Sequence, residues 1–299
     1  MHYNRIMLSP LFTQHYPRGS ATFNALVNQN VFTAMLEDIG NGDLTALLIP
    51  ETQSITANLL TREDMIVCGQ DWVNACFEYA DKNIHIKWFV NEGEKAKSNQ
   101  ILCEITGNAR AILTAERCAL NFLQLLSAVA STTRLFVLAV SGTKAEILDT
   151  RKTIPGLRLA QKYAVTVGGG SNQRLALYDG ILIKENHIAA AGSIKAALDF
   201  ANINNPNINI QIEVENLSQM REAIDAGASN ILLDNFGMTD LREAVLVNEK
   251  DYKSVAKLEA SGGVHLSSVR AIALTGVDRI SVGSITKNIR AIDLSLRIK

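Results

Sequence analysis

The chain has 299 residues, of which 47% are hydrophobic and 20% are charged, and its formal net charge is −1. These proportions are typical of a soluble globular protein with a substantial core. The near-neutral balance lacks the basic stripe of proteins that bind nucleic acid or an anionic membrane surface, so neither partner is expected. Any concentration of positive charge must be local.

Targeting signals are not evident. Residues 1–19, MHYNRIMLSPLFTQHYPRG, lack the uninterrupted apolar segment and the cleavage pattern of a secretory signal. No apolar run is predicted to reach the length of a membrane span. The four cysteines, Cys68, Cys76, Cys103 and Cys118, have neither C-x-x-C spacing nor a histidine partner set. We therefore expect buried thiols in a reducing cytoplasm.

The first 130 residues predict an α+β domain. Apolar residues recur at helical spacing over 22–39, and Gly40 and Gly42 follow as a stop signal. β-rich runs come at 55–60, 84–90 and 101–105, with a helical pattern at 72–80 between the first two. We expect residues 1–130 to form an N-terminal α+β sandwich, with packing contributed by residues 286–299.

A long apolar segment, 115–140, contains no glycine or proline and predicts one or two buried helices. Arg117 is a charged residue near its start. From the residue type alone, Arg117 is interpreted as capping the helix or pairing with Glu116.

Short apolar runs then alternate with helical patterns. The runs are 145–148, 181–183, 208–214, 230–233, 255–258 and 279–282, and helical patterns include 218–226 and 267–274. Such alternation predicts a parallel sheet, either doubly wound or closed as a β/α barrel. Because the glycines at 168–170 are contiguous and lack dinucleotide-binding spacing, the barrel is favoured. The predicted fold is α/β, with a β/α-barrel domain over residues 131–285.

Polar or charged residues follow nearly every strand of this second domain. The C-terminal strand ends carry the chemistry in β/α barrels. Here they supply Asp149, Arg151, Lys152, Lys184, Glu213, Glu215, Asp234, Glu259, Ser261, Gly283 and Ser284. Like charges about 4 Å apart repel by roughly 4 kcal/mol at an effective dielectric near 20. The cations between residues 149 and 187 therefore predict a small ligand with several negative charges.

The last strand ends predict a phosphorylated substrate and a metal. The loops 261–263 and 283–284 follow the last two strands, where barrels commonly bind phosphate through backbone N–H groups. Glu213 and Asp234 end successive strands. Paired carboxylates near phosphate are suited to hold Mg²⁺, directly or through water.

Ordered motifs along almost the whole chain resemble one family, the quinolinate phosphoribosyltransferases. The motifs are EDIGNGDLTALLIP (37–50), AERCALNFLQLLSAVAS (115–131), DTRKTIPGLRLAQKYAVTVGGGSNQR (149–174), LIKENH (182–187), EVENL (213–217), LLDNF (232–236), LEASGG (258–263) and GVDRISVGSITK (276–287). The number of matches makes the resemblance specific.

The resemblance implies transfer of the phosphoribosyl group of phosphoribosyl pyrophosphate to quinolinate. Pyrophosphate and CO₂ would be released, leaving nicotinate mononucleotide for NAD synthesis. It also implies an open, incomplete β/α barrel joined to the N-terminal module. The implied assembly is a homodimer in which Arg117 enters the neighbouring subunit's site.

The resemblance also implies the residues that act. The substrate-binding set is Arg117, Thr150, Arg151, Lys152, Gln173, Arg174, Lys184, Glu213, Asp234, Ser261, Gly262, Gly263, Val282, Gly283 and Ser284. Within it, the implied catalytic residues are Lys152, Lys184, Glu213 and Asp234. The planar fork of arginine suits bidentate recognition of the two carboxylates of quinolinate. Glu213 or Asp234 is assigned to the ribose side, and Lys152 or Lys184 is hypothesised to assist decarboxylation and deliver a proton.

Two departures from the family pattern stand inside the motifs. Gln173 occupies the position where the family commonly has histidine, and Glu185 replaces the usual aspartate. Glutamine keeps a hydrogen bond but does not titrate. Position 173 is therefore expected to orient substrate or Arg174 and not to act as an acid or base.

Several residues are interpreted as structural, and other functions remain open. Arg158 and Lys162 are expected on a solvated or packing face, His187 is unassigned, and Gly168–Gly170 either cradle phosphate or form a turn. The alternative functions are a related transferase for another pyridine or pyrimidine base, a non-catalytic barrel that binds an anionic metabolite, and a structural or interaction protein.

Overall fold

A computed structural model describes residues 10–205 and 208–299, so half of the segment considered for a signal sequence lies outside the described residues. The chain divides into two compact units. The first comprises the described part of Met1–Arg134 with Thr153–Gly169 and Ile285–Lys299, and the second comprises Leu135–Lys152 and Gly170–Ser284. This division differs from the expected domains chiefly at Thr153–Gly169, which joins the first unit.

The elements follow one another in this order. The helices are α1 (Pro10–His15), α2 (Ala21–Ile39), α3 (Gln70–Ala80), α4 (Ala109–Ala139), α5 (Arg158–Val167), α6 (Glu185–Ala191), α7 (Ile194–Asn204), α8 (Leu217–Asp225), α9 (Met238–Lys250), α10 (Leu266–Ala273) and α11 (Ser284–Lys287). The strands are β1 (Ser54–Thr61), β2 (Met65–Ile66), β3 (His85–Trp88), β4 (Lys95–Ala96), β5 (Ile101–Asn108), β6 (Glu146–Leu148), β7 (Ile181–Ile183), β8 (Ile210–Val214), β9 (Asn230–Asp234), β10 (Lys257–Ser261), β11 (Arg279–Ser281) and β12 (Leu294–Ile298).

The first unit contains a four-stranded antiparallel sheet in the order β12-β1-β5-β3. Ala57 lies opposite Ile105, and Leu59 lies opposite Cys103; all four side chains are buried. Such cross-strand apolar pairs stabilise the sheet. The C-terminal strand β12 pairs with β1, which explains why the end of the chain belongs to this unit.

An aromatic cluster joins three helices of the first unit. The ring of Phe23 on α2 lies 5.7 Å from that of Trp72 on α3 and 5.2 Å from that of Tyr163 on α5. Helix α2 begins where Ser20 Oγ accepts a hydrogen bond from the Phe23 backbone N–H, so the cap also positions this ring. The cluster accounts for the inclusion of α5 in the first unit, since Tyr163 is 1% exposed.

Helix α4 is one continuous helix and corrects the expectation about membrane-span length. It is long and apolar enough to cross a membrane by length and composition, but half of its most apolar window is buried inside the protein. Ser127 Oγ and Ser131 Oγ accept hydrogen bonds from the backbone N–H groups of Cys68 and Ile66. These contacts identify α4 as a packing helix of the first unit, although Leu135 is half exposed.

The four cysteines are free and buried, as predicted. Burial raises the pKa of each thiol, to about 11 for Cys118. Thiols that stay protonated are poor nucleophiles, which agrees with their interpretation as core residues.

A half-buried carboxylate, that of Glu92, accepts hydrogen bonds from the N-terminus of α3. Its Oε1 accepts from the Gly69 N–H at 2.9 Å and from the Tyr163 hydroxyl at 3.0 Å, and its Oε2 accepts from the Gln70 N–H at 3.1 Å. Burial raises the pKa of Glu92, and these hydrogen bonds and the charge of Arg18 oppose the rise. Both carboxylate oxygens are thus committed to donors at a helix start.

The second unit is a six-stranded parallel sheet in the order β6-β11-β10-β9-β8-β7. The last strand of this unit, β11, lies beside its first strand, β6, as closure of a barrel requires. Within the described chain no pairing joins β6 to β7, so the barrel is open at that point. The α/β class and the open barrel are confirmed. A doubly wound sheet is excluded because the strand order does not reverse.

The predicted elements of this unit agree with the observed ones to within a few residues. The largest difference is β10, which spans Lys257–Ser261 and not 255–258. Lys162 on α5 is fully buried, which agrees with the packing alternative and not with the solvated one. Tertiary packing decides the exposure of such long side chains.

We predict that Glu92→Gln destabilises the fold. One carboxylate oxygen becomes an NH₂ group that faces a backbone N–H donor, and an unsatisfied buried donor costs about 1–3 kcal/mol. The free energy of unfolding, measured in urea, should fall by that amount. Glu78→Gln, at an exposed site on α3, is the matched control. Equal stabilities of the two variants would contradict the role of Glu92.

Candidate active site

A cavity of about 420 Å³ lies at the C-terminal strand ends of the second unit. It is lined by Thr150, Arg151, Lys152, Gln173, Arg174, Leu182, Lys184, Glu213, Leu232, Asp234, Asn235, Glu259, Ser261, Gly262, Gly263 and Ser281. Most of these residues belong to barrel strands or to the loops that follow them. The cavity therefore has the position that a β/α barrel reserves for ligands.

The period of two along each strand selects the side chains that face this cavity. Glu259 and Ser261 on β10 are two residues apart, as are Leu232 and Asp234 on β9. The register aligns Leu232 with both Glu213 and Glu259, so these positions share one face of the sheet. The acidic residues thus converge because of strand register, not because of loop geometry.

Arg151 and Arg174 form the cationic wall of the cavity. Arg174 Nη1 donates to the carbonyl of Gly180 at 3.0 Å, which positions the guanidinium. Burial and the nearby charge of Arg151 lower the pKa of Arg174, while Asp179 opposes this. The Nε atoms of both arginines are buried and have no hydrogen-bond partner among the described residues. Two close guanidinium groups with unsatisfied donors suit an anionic ligand.

Lys184 and Glu213 form an ion pair inside the cavity. The ammonium Nζ lies 3.0 Å from Glu213 Oε1 and 2.7 Å from Oε2. The Glu213 side chain is 11% exposed and that of Lys184 is 42% exposed. The pair is therefore anchored at the carboxylate, and the lysine end faces solvent. A substrate phosphate or carboxylate competes with Glu213 for this ammonium.

Asp149 fixes the segment that carries Gln173. Its carboxylate is fully buried and accepts from the Asn172 side-chain amide at 2.7 Å and from the Gln173 backbone N–H at 3.0 Å. Asp149 follows β6 directly. A buried acceptor at the strand end thus sets the position of the Gln173 backbone.

The loops after β9 and β10 meet at Asn235 and Gly262. The Asn235 backbone N–H donates to the carbonyl of Ser261 at 2.9 Å, and the Asn235 side-chain amide donates to Asp234 at 2.8 Å. A Cβ atom at Gly262 would lie 2.1 Å from Asn235 Oδ1, and the φ of Gly262 is +100°. Only glycine fits this position, and the loops form a compact rim beside Asp234.

Four predicted substrate-binding residues do not line the cavity. Val282 is 1% exposed and its backbone N–H donates to the Leu148 carbonyl. Ser284 starts α11. A Cβ atom at Gly283 would lie 3.3 Å from the side chain of Lys152, so Gly283 admits that side chain without lining the site. The fourth residue, Arg117, belongs to the first unit.

Arg117 is exposed on α4 and lines a separate pocket of the first unit. It lies inside α4, well after the first residue Ala109, so it does not cap the helix. It makes no ion pair with a described residue, but its charge opposes the rise that burial causes in the pKa of Glu116. The pocket also includes Asp43, whose carboxylate accepts from the Thr45 and Ala46 N–H groups and from the Thr114 hydroxyl. These bonds lower the pKa of Asp43, with the Thr114 bond as the main cause.

The residues left open have structural roles. His187 Nδ1 accepts from the Lys184 backbone N–H at 3.0 Å at the start of α6. A Cβ atom at Gly168 would lie 2.6 Å from both the Ala130 carbonyl and Thr133, so this glycine permits close packing against α4. The nearby Gly169 has a φ of +92°, typical of a turn.

Sequence reasoning missed Gln211 and left Glu259 and Ser281 out of the site. Gln211 is 4% exposed and Glu259 is 1% exposed. Burial raises the pKa of Glu259, and the hydrogen bond from Gln211 is the main influence that opposes the rise. Gln211 lies two residues before Glu213 and shares its face, so strand alternation was the available signal.

Two family models match the chain. The model described as "Quinolinate phosphoribosyl transferase, N-terminal domain" matches residues 43–127, and that described as "Quinolinate phosphoribosyl transferase, C-terminal domain" matches residues 129–297. The "Probable nicotinate-nucleotide pyrophosphorylase [carboxylating]" of Bacillus subtilis (strain 168) is 40% identical over 264 residues, covering 88% of this chain and 90% of its own length. The "Quinolinate phosphoribosyltransferase [decarboxylating] 2b, mitochondrial" of Nicotiana tabacum is 37% identical, covering 89% of this chain and 80% of its own length.

Solved structures of proteins with the same name are also similar to this chain in fold and sequence. The nicotinate-nucleotide pyrophosphorylase from Francisella tularensis has a TM-score of 0.89 and 44% identity, with 100% of both chains covered. That from Ehrlichia chaffeensis has a TM-score of 0.86 and 39% identity, covering 91% of this chain and 98% of its own. The chain belongs to the quinolinate phosphoribosyltransferase family.

Proposed function

We propose that the chain transfers the phosphoribosyl group of phosphoribosyl pyrophosphate to quinolinate, with loss of pyrophosphate and CO₂, and so forms nicotinate mononucleotide in NAD biosynthesis. Its relatives' names describe this chemistry. The observation that supports the proposal is that one cavity is lined by both kinds of group. Two guanidinium groups, each with a buried Nε that has no partner in the described chain, lie in the same cavity as the carboxylates of Glu213 and Asp234.

The cationic wall suits the dicarboxylate substrate. Quinolinate carries two adjacent carboxylates on a planar ring, and guanidinium groups bind such anions through paired hydrogen bonds. Arg151 and Arg174 each retain the Nε donor for this purpose. A nicotinate-specific enzyme has only one carboxylate to bind, so two arginines with unsatisfied donors favour quinolinate.

The opposite rim suits the phosphoribosyl donor. Gly262 and Gly263 have φ values of +100° and +56° and lie beside Asp234 in the cavity wall. A glycine loop lets backbone N–H groups approach phosphate oxygens closely. Asp234 and Glu213 then face the ribose, where positive charge grows as the bond to pyrophosphate breaks.

Mg²⁺ fits this donor set only together with the substrate. No group of three or more acidic, histidine or cysteine side chains suited to a metal occurs among residues 10–205 and 208–299. Glu213 is engaged by Lys184, whereas Asp234 accepts one hydrogen bond. Mg²⁺ in phosphate sites commonly uses one or two carboxylates plus waters and substrate oxygens. We propose that Asp234 would hold it, with Glu213 reached through water, and that the ion would neutralise the departing pyrophosphate.

Lysine assists the second half of the reaction. After ribosylation the ring nitrogen is cationic, and the bond to the carboxylate at the adjacent carbon breaks to leave CO₂ and a carbanion. That carbon then takes a proton. We propose Lys184 or Lys152 as the group that stabilises the leaving carboxylate and supplies the proton, because both line the cavity.

We further propose a homodimer in which Arg117 completes the partner's site. The loop after α2 is tied to α4 by Asp43 and Thr114, yet Leu44, Leu47 and Leu48 are 82%, 66% and 83% exposed. An ordered loop that exposes three leucines beside an unpaired arginine fits a surface covered by a second copy. We also propose a cytoplasmic location, as the sequence predicted.

The first prediction about function concerns turnover. The purified chain, incubated with quinolinate, phosphoribosyl pyrophosphate and Mg²⁺, should release nicotinate mononucleotide and CO₂, detected by chromatography and by trapping of carboxyl-labelled carbon. Omission of phosphoribosyl pyrophosphate is the control. Product from nicotinate with none from quinolinate would move the assignment to a nicotinate transferase.

The second prediction concerns the lysine. Lys184→Met should lower kcat/KM by about 100-fold or more, because it removes a cation from the site and leaves Glu213 unpaired. Lys195→Met, an exposed lysine paired with Asp199 on α7, is the matched control and should be neutral. Full decarboxylating activity in both Lys184→Met and Lys152→Met would exclude the lysine role.

The third prediction concerns the shared site. Arg117→Ala and Lys184→Ala chains should each be inactive alone. Mixed after mild dissociation, they should regain about a quarter of wild-type activity, because half of randomly mixed dimers are mixed and one of two sites in each is intact. Lys184→Ala mixed with the double variant Arg117→Ala/Lys184→Ala should recover nothing. No recovery in the first mixture would contradict an exchanged arginine.

A further inference from the structure

A chain of three buried or half-buried side chains lies against the cavity. Gln173 Nε2 donates to Gln211 Oε1 at 2.9 Å, and Gln211 Nε2 donates to Glu259 Oε2 at 2.9 Å. Gln173 and Glu259 both line the cavity. Gln211 connects them and is 4% exposed.

Structural need alone does not account for these residues. Barrel interiors are filled mostly by branched apolar side chains, whereas Gln211 and Glu259 place an amide and a carboxyl on the inner face of the sheet. Burying an amide and a carboxyl is costly unless both are hydrogen-bonded. The Oε1 atom of Glu259 is buried and has no partner among the described residues. An apolar pair of similar volume would pack here without that cost.

The donors and acceptors of these three side chains allow one arrangement of the two hydrogen bonds. The Glu259 Oε2 atom accepts, so Gln211 must turn its NH₂ group toward Glu259 and its carbonyl toward Gln173. Gln173 must then turn its own NH₂ group toward Gln211. Glu259 therefore keeps the Gln173 NH₂ group on Gln211 and turns the Gln173 carbonyl oxygen, a hydrogen-bond acceptor, away from it.

The backbone of Gln173 is fixed independently. Its N–H donates to the fully buried Asp149 at 3.0 Å. The residue is thus held at both its main chain and its side chain, next to Arg174 in the cationic wall. A side chain held at both ends loses little freedom when a ligand binds.

We propose that Gln211 and Glu259 are positioning residues that fix the Gln173 amide in one orientation, so that its carbonyl oxygen accepts from the guanidinium groups that recognise the pyridine dicarboxylate. The inference rests on the proposed function. Neither residue touches the reacting atoms. They act through Gln173, so their effect belongs to binding of the aromatic substrate and not to the phosphoribosyl donor.

The test is a double-mutant cycle on steady-state kinetics. Gln211→Met keeps the volume and removes both hydrogen bonds, so KM for quinolinate should rise about tenfold. KM for phosphoribosyl pyrophosphate should stay within about twofold. In a Gln173→Met background, Gln211→Met should have no further effect on KM for quinolinate, because the group that it positions is gone.

The matched control is Asn248→Leu. Asn248 is also a 4% exposed amide of the second unit, but it donates to the backbone carbonyl of Ala256 and takes no part in the Gln173–Gln211–Glu259 hydrogen bonds. This variant should lose stability without changing either KM. Gln211→Asn, too short to reach both partners, replaces Gln211→Met if the latter does not fold.

The outcomes separate the two proposals. Equal rises in both KM values, additive effects in the cycle, or an unchanged KM for quinolinate would overturn the positioning role while the transferase assignment stands. Absence of product from the wild-type chain would overturn the proposed function and, with it, this inference.

Discussion

The register of the open parallel barrel is the constraint on which the site depends. Cα pairing aligns Leu232 with Glu213 on one side and with Glu259 on the other, and it aligns Ser261 with Asp234. A slip of one residue in any strand would turn these side chains to the opposite face. The charged cavity therefore depends on the apolar packing of residues such as Ile231 and Leu233, whose buried side chains hold the strands in that register. Chemistry and core are encoded in alternate positions of the same strands.

Some charged groups of the cavity have partners within the protein, and others have N–H donors without a partner in the part of the chain that the structure describes. Lys184 is paired with Glu213, whereas Arg151 and Arg174 retain buried Nε donors with no partner among the described residues. Unsatisfied buried donors destabilise a protein, and such cost is commonly concentrated at functional sites. The arrangement suits a cycle in which the dicarboxylate satisfies the arginines, while a phosphate group competes with Glu213 for the lysine. In the free cavity the two arginines are thus already placed to bind an anion, whereas Lys184 must exchange Glu213 for a substrate phosphate.

Much of this was predictable, and the misses have physical causes. Strand ends are readable because polar residues interrupt apolar runs, as at Lys184 and Asp234. Gln211 escaped notice because it lies inside a strand, where a single polar residue carries no signal until the facing side chains are known. The residue type left Lys162 open between a solvated and a packing face, and the structure buries it fully. The position of Thr153–Gly169 in the first unit was equally hidden, since it depends on contacts of Tyr163 with Phe23 and Trp72.

Gln173 connects these observations. A histidine, the residue common at this position in the family, changes its charge between about pH 5 and 8, and so alters the number of cations that face the substrate. A glutamine does not titrate. The contribution of position 173 to the charge that faces a dicarboxylate is therefore constant with pH. A charged histidine attracts an anion through its charge. A neutral amide contributes only through hydrogen bonds, so its NH₂ group and its carbonyl oxygen must each face a suitable partner. The hydrogen bonds through Gln211 to the buried Glu259 provide that direction.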